Sequence, residues 1–126
     1  MRKIYCIAAA FVLFSFAGCG DGVDLPSLGV ETDLNKIILP VNLQEIGEYA
    51  FYQRNNLKTV EFSGAPLQAW TIGDYAFLDC HKLDNVTIPQ NVTSIGKSAF
   101  YRCYALTTLS LGENIEKIGS YAFAEC

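Results

Sequence analysis

The side chains best suited to chemistry are five cysteines and one histidine, His81, which lies between Cys80 and Lys82. A thiol next to an imidazole suggests a cysteine nucleophile with its base. Adjacent residues project apart, however, and catalysis needs nucleophile, base and an orienting group brought together in space. Three of the cysteines, Cys80, Cys103 and Cys126, are separated by 23 and 23 residues. Zinc sites favour a C-x-x-C spacing and need a fourth ligand. Thiols one layer apart in a stacked structure could meet the Cα distance of a disulfide, but three is an odd number and parallel inward side chains pair poorly. The regular spacing points instead to a buried free thiol acting as a small hydrophobe in each repeat. The acidic residues form no D-x-D-x-D-G calcium loop, and there is no phosphate-binding glycine loop. Asn85-Val86-Thr87 and Asn91-Val92-Thr93 fit a glycosylation sequon, but strand and turn already call for these residues. Neither an enzyme nor a cofactor site is expected.

The 23-residue spacing recurs throughout the chain. Ile-Gly occurs at Ile46-Gly47, Ile72-Gly73, Ile95-Gly96 and Ile118-Gly119, in steps of 26, 23 and 23 residues. Ala-Phe follows each time, at Ala50-Phe51, Ala76-Phe77, Ala99-Phe100 and Ala122-Phe123. Leu34, Leu57, Leu83 and Leu106 each head an apolar run at alternate positions. Pro40 and Pro89 stop the first and third runs. The longer step is a three-residue insertion within Ser63–Thr71, around Gly64, Pro66 and Trp70.

Each unit has a physical reading. The L-x-x-V-x-I run is a short half-buried strand. A polar turn follows, with Asn42, Asn91 or Asn114, because Asn tolerates a left-handed conformation. A second apolar pair, such as Val92 and Ile95, points inward. The Gly after each Ile allows a tight bend or a close backbone approach. The Ala-Phe segment is expected to form a short helical turn. One unit cannot bury its apolar face alone, but stacked units can, with like residues forming ladders. Phe51, Phe77, Phe100 and Phe123 should then form one spine. The fold class is mainly β with short helical turns, a solenoid of about four stacked rungs. Its units are 34–56, 57–82, 83–105 and 106–126, the last incomplete.

This pattern, roughly L-x-x-V-x-I-P-x-x-V-x-x-I-G-x-x-A-F-x-x-C over residues 34–126, resembles the BspA-type leucine-rich repeat. Arg54 stands at the Cys position of the first unit. The resemblance implies a right-handed leucine-rich-repeat solenoid. It also implies a bacterial cell-surface protein that binds host or neighbouring-cell proteins, often as an adhesin.

The N-terminus reads differently. Met1-Arg2-Lys3 precedes an apolar and small run of 13 residues from Ile4 to Phe16. A basic start, a short apolar stretch and a small-residue cleavage site describe a secretory signal at 1–18. Phe16-Ala17-Gly18-Cys19 resembles the lipobox of bacterial lipoproteins, with Phe16 where that family usually has Leu. The resemblance makes Cys19 the lipid-modified residue, held in the membrane by its acyl chains. Residues 19–33 then form a lipidated flexible tether. Removal of 1–18 leaves seven basic and thirteen acidic residues, a net charge of −6. Such a chain is not suited to nucleic acid.

A binding function would sit on the outward strand positions Lys36, Ile38, Thr59, Glu61, Asn85, Thr87, Thr108 and Ser110. Trp70 is either an interface anchor in the insertion or a side chain folded back onto the solenoid. The layer with Ile118 and Phe123 should be partly exposed and the strand after Leu106 should leave an open edge, which invites self-association through the last rung. The leading reading is a non-catalytic, adhesin-like surface lipoprotein of the outer membrane with a protein partner. The alternatives are a periplasm-facing scaffolding lipoprotein and a truncated fragment of a longer repeat protein.

Overall fold

The alternating apolar runs become short parallel strands. The computed structural model describes residues 2–4, 35–40, 43–63 and 68–126. Cys19, the tether and most of the segment read as a signal lie outside the described residues. One sheet joins β2 (Lys36–Pro40), β4 (Thr59–Ser63), β6 (Asn85–Thr87) and β8 (Thr108–Ser110) in that order. The other joins β1 (Arg2–Ile4), β3 (Leu43–Ile46), β5 (Trp70–Ile72), β7 (Val92–Ile95) and β9 (Lys117–Ile118). Every pairing is parallel. The chain thus winds as a parallel β-solenoid, and β2 to β8 span three full turns.

Register follows the repeat. Val60 pairs with Val86, and Val86 with Leu109; Ile46 pairs with Ile72, Ile72 with Ile95, and Ile95 with Ile118. Within a rung, Leu57, Val60, Ile72, Leu83, Val86, Val92 and Ile95 are buried. Phe51, Phe77, Phe100 and Phe123 stack in one column, with centroids 4.9, 4.9 and 5.3 Å apart. Near-parallel rings follow from the ladder geometry, since each ring sits one strand spacing from the next.

The Ala-Phe segments are not helical. Among the described residues there is no helix, and each segment is a run of tight turns. In the first, Ala50, Tyr52 and Arg54 N–H groups donate to the carbonyls of Gly47, Tyr49 and Phe51. Tyr49 and Gln53 have positive φ, as do Tyr75 and Asp79, Ser98 and Arg102, and Tyr121 and Glu125. A left-handed residue every fourth position ends any helix. It also aims alternate N–H groups along the stack. Tyr49, Phe51 and Gln53 donate to Asp74, Ala76 and Leu78 of the next rung at 3.1, 2.7 and 2.9 Å, and the later rungs repeat this. The turns therefore form a third ladder beside the two sheets.

Two turn residues differ from expectation. Asn91 and Asn114 are not left-handed; their side-chain amides instead donate to the carbonyls of Gln68 and Gln90, at 2.6 and 2.8 Å. The glycines after Ile serve close approach. A Cβ on Gly73 would sit 2.7 Å from the Ile46 carbonyl oxygen, and one on Gly96 would sit 2.5 Å from the Asp74 nitrogen.

Candidate functional site

The sheet of β2, β4, β6 and β8 offers the broadest regular surface. Strand alternation turns Val60 and Val86 inward and their neighbours outward. Lys36, Thr59, Asn85 and Thr108 align as one ladder across all four strands. Ile38 pairs with Glu61, and Thr87 with Ser110. Thr59 is half-buried and the other seven are exposed. The eight outward residues singled out in the sequence are therefore brought onto one face. Lys36 Nζ reaches Glu61 Oε1 at 2.8 Å, diagonally between adjacent strands. Both side chains are half in water, so the pair orients more than it stabilises. Short hydroxyl and amide groups dominate the rest. Such a face forms hydrogen bonds to a partner without a large cost in side-chain ordering.

Trp70 is not on offer to a partner. It is 3 % exposed at the start of β5, with its ring 5.4 Å from that of Phe62. Of its two readings, the structure takes the fold onto the solenoid.

The stack of repeats resembles other proteins along most of its length. Residues 30–126 match the family model described as a BspA type leucine rich repeat region (6 copies). The chain belongs to the BspA-type leucine-rich-repeat family. A crystal structure of a leucine-rich-repeat protein from T. pallidum is 30 % identical with a TM-score of 0.65, over 73 % of this chain and 42 % of that one. The pneumococcal vaccine antigen PcpA is 28 % identical with a TM-score of 0.63, over 72 % of this chain and 22 % of PcpA. The chain thus spans less than half the length of either structure. A search of curated proteins finds no match.

The BspA-type repeat cysteine has a defined place in this stack. Cys80, Cys103 and Cys126 are free thiols, and their Sγ atoms lie 3.1, 3.4 and 3.2 Å from the carbonyl oxygens of Phe51, Phe77 and Phe100 in the rung before. Each of these carbonyls also accepts a backbone N–H within its own turn, from Arg54, Cys80 and Cys103. The thiol thus takes the second lone pair of a buried acceptor. Cys80 is 0 % exposed, and burial pushes its thiol pKa up to about 12, with Arg54 opposing the shift. A nucleophilic thiol needs the opposite shift. His81 faces solvent, stacked on Tyr104 at 5.1 Å, with Nε2 3.6 Å from Asp79 Oδ1. The adjacent thiol and imidazole point to opposite sides of the turn and form no dyad.

The turn ladder carries a surface that the sequence reading passed over. Tyr49 and Tyr75 stack at 4.8 Å, and Lys97 Nζ lies 5.7 Å from the Tyr75 centroid. Further along, the Tyr101 hydroxyl donates to Glu125 Oε1 at 2.9 Å, and Arg102 Nε reaches Oε2 at 3.2 Å. The Tyr101 hydrogen bond, with Arg102, holds the Glu125 carboxyl below its ordinary range. The available signal was Gly-x-Tyr at Gly47, Gly73 and Gly119, which lies between the Ile-Gly and Ala-Phe marks.

Proposed function

We propose that this BspA-type chain is an exported bacterial envelope protein, lipid-anchored through Cys19, that binds another protein through the outward face of β2, β4, β6 and β8. The observation that carries the reading is the unbroken outward ladder Lys36–Thr59–Asn85–Thr108, polar and accessible over a rigid core. The similar protein PcpA is described as a pneumococcal vaccine antigen, in keeping with a molecule displayed outside the cell. Display on the outer membrane as an adhesin-like module is the preferred setting, with a protein of a host or neighbouring cell as partner. Four strands at roughly 4.8 Å spacing span about 15 Å. With strands of three to five residues at about 3.3 Å per residue, that face covers far less than the roughly 800 Å² per partner of a standard interface. A single copy binds weakly, and many copies anchored in one membrane bind by avidity.

The test is a photoreactive residue placed at Asn85 or at Thr108 in chains on intact cells, with the same residue at Lys97 on the turn side as the comparison. Protein adducts confined to the sheet positions are expected. Equal adducts at all three positions, or none, contradict a binding role for the sheet face.

A further inference from the structure

The turn ladder carries a column of tyrosines with one member missing. Tyr49, Tyr75, Ser98 and Tyr121 hold the same place in successive rungs, and all four have positive φ, from 51° to 60°. Tyr49 N–H donates to the Asp74 carbonyl, Tyr75 N–H to that of Lys97 and Ser98 N–H to that of Ser120, at 3.1, 2.8 and 2.9 Å. The backbone therefore runs through this place unbroken, and only the side chain changes. Tyr49 and Tyr75 show how rings sit there: their centroids are 4.8 Å apart and their planes 7° from parallel. At Ser98 the next ring is absent, and Ser98 lies at the bottom of the gap, 6 % exposed. Tyr75 and Tyr121 are two rungs apart, about 9.6 Å at the usual strand spacing. A slot one rung high is left between them, on the flank of the rod and apart from the outward sheet face. Stacked aromatic rings favour centroid separations of about 4.5–7 Å, so a ring over Ser98 meets both walls at a favourable distance.

The rim of the slot is charged. Lys97 precedes Ser98, and its Nζ lies 5.7 Å from the Tyr75 centroid. A hydrogen bond with Tyr75 raises the Lys97 pKa, and the Asp74 carboxylate acts in the same sense, so the ammonium stays charged. Asp74 is itself engaged, with Oδ1 accepting the Lys97 backbone N–H at 2.7 Å. In the later rung the place of Lys97 is taken by Ser120, which is neutral. A cation thus stands beside an aromatic slot, open towards the later rung.

We propose that the slot between Tyr75 and Tyr121 binds a small aromatic acid, whose flat ring enters over Ser98 and whose anionic group pairs with Lys97. The ligand ring takes the place of the missing tyrosine and is covered on both faces, as Tyr75 is covered by Tyr49 on one. A flat π system suits two tyrosine walls better than a saturated ring does, and Lys97 repels a basic ligand. Two stacking contacts and one exposed ion pair give weak binding, with a Kd on the order of millimolar. The site is independent of the lipid anchor and of the sheet face.

The full chain, isotope-labelled and held in a sugar-free detergent, is titrated with 4-hydroxyphenylacetate while its amide NMR shifts are followed. Saturable shifts are expected at Lys97, Ser98 and Tyr121, and none at Asn85 or Thr108 on the sheet. p-Cresol, the same ring without the carboxylate, should bind about threefold more weakly, and Lys97→Gln should bring the acid down to that level. Ser98→Tyr should abolish the shifts with an unchanged circular dichroism spectrum, since Tyr49, Tyr75 and Tyr121 already adopt this backbone conformation. Tyr121→Leu removes one wall at an exposed position. It should weaken binding by up to about tenfold. Absence of saturable shifts overturns the site, and so does binding that survives Ser98→Tyr. Equal binding of cyclohexylacetate overturns the stacking, and equal binding of p-cresol overturns the part given to Lys97. Tighter binding of methyl β-glucoside than of the aromatic acid overturns the ligand class and makes the slot a sugar site.

Discussion

Cys103 touches two rungs at once. Its backbone N–H meets the Phe100 carbonyl in its own turn, and its thiol meets the Phe77 carbonyl one rung back. Replacing it with Ala removes a weak hydrogen bond and leaves a small cavity between layers. Cys103→Ala should lower the unfolding free energy by about 1–2 kcal/mol in urea titration. Burial raises the pKa of both Cys80 and Cys103 above the ordinary 9.0. The folded state therefore holds its thiol protons more tightly than the unfolded state. The resulting stability is fully present below pH 9, and for Cys80 it is lost as pH rises from there towards about 12. Urea midpoints measured from pH 8 to pH 11 should fall steadily above pH 9, and the fall should be smaller in Cys80→Ala. Native Cys80 and Cys103, both buried, should resist alkylation at pH 8, while the exposed Cys126 reacts.

At the scale of the element, position along the stack decides what a residue contributes. Phe100 has a ring on each side, at 4.9 and 5.3 Å, whereas Phe123 has a described ring on one side only. Phe100→Ala should cost about 3–5 kcal/mol. Phe123→Ala should cost well under half of that by the same urea titration. Gly96→Ala introduces a Cβ against the backbone of Gly73 and Asp74, where nothing flexible can give way. A loss of at least about 1–3 kcal/mol is expected.

The strands, the inward columns and the Phe spine were legible because burial demands a fixed spacing of apolar residues, and a 23-residue period repeats that demand visibly. The Ala-Phe turn was misread as helical. Its conformation depends on left-handed residues such as Tyr49, Ser98 and Arg102. None of these types announces positive φ, yet every rung repeats it, including Tyr121 and Glu125 in the last described one. Asn91 and Asn114 were misread for the same reason, while Asn42 lies outside the described residues. Their type suggested a left-handed turn, while the stacked geometry uses the side-chain amide. The outward face was legible by alternation, because the residue next to a buried strand position must face away.

The described part of the molecule is a short rod with a polar sheet on one side and a tyrosine-bearing turn ladder on another. The repeated groups of the described part are spread along the rod, and the proposed binding role depends on where the rod is displayed. Intact producing cells treated with an external protease, with a known periplasmic lipoprotein followed as control, test this most directly. Selective loss of this chain while the control survives is the expected result, and it places the repeats outside the cell. Full protection until the cells are lysed contradicts display at the surface and leaves a scaffold inside the envelope.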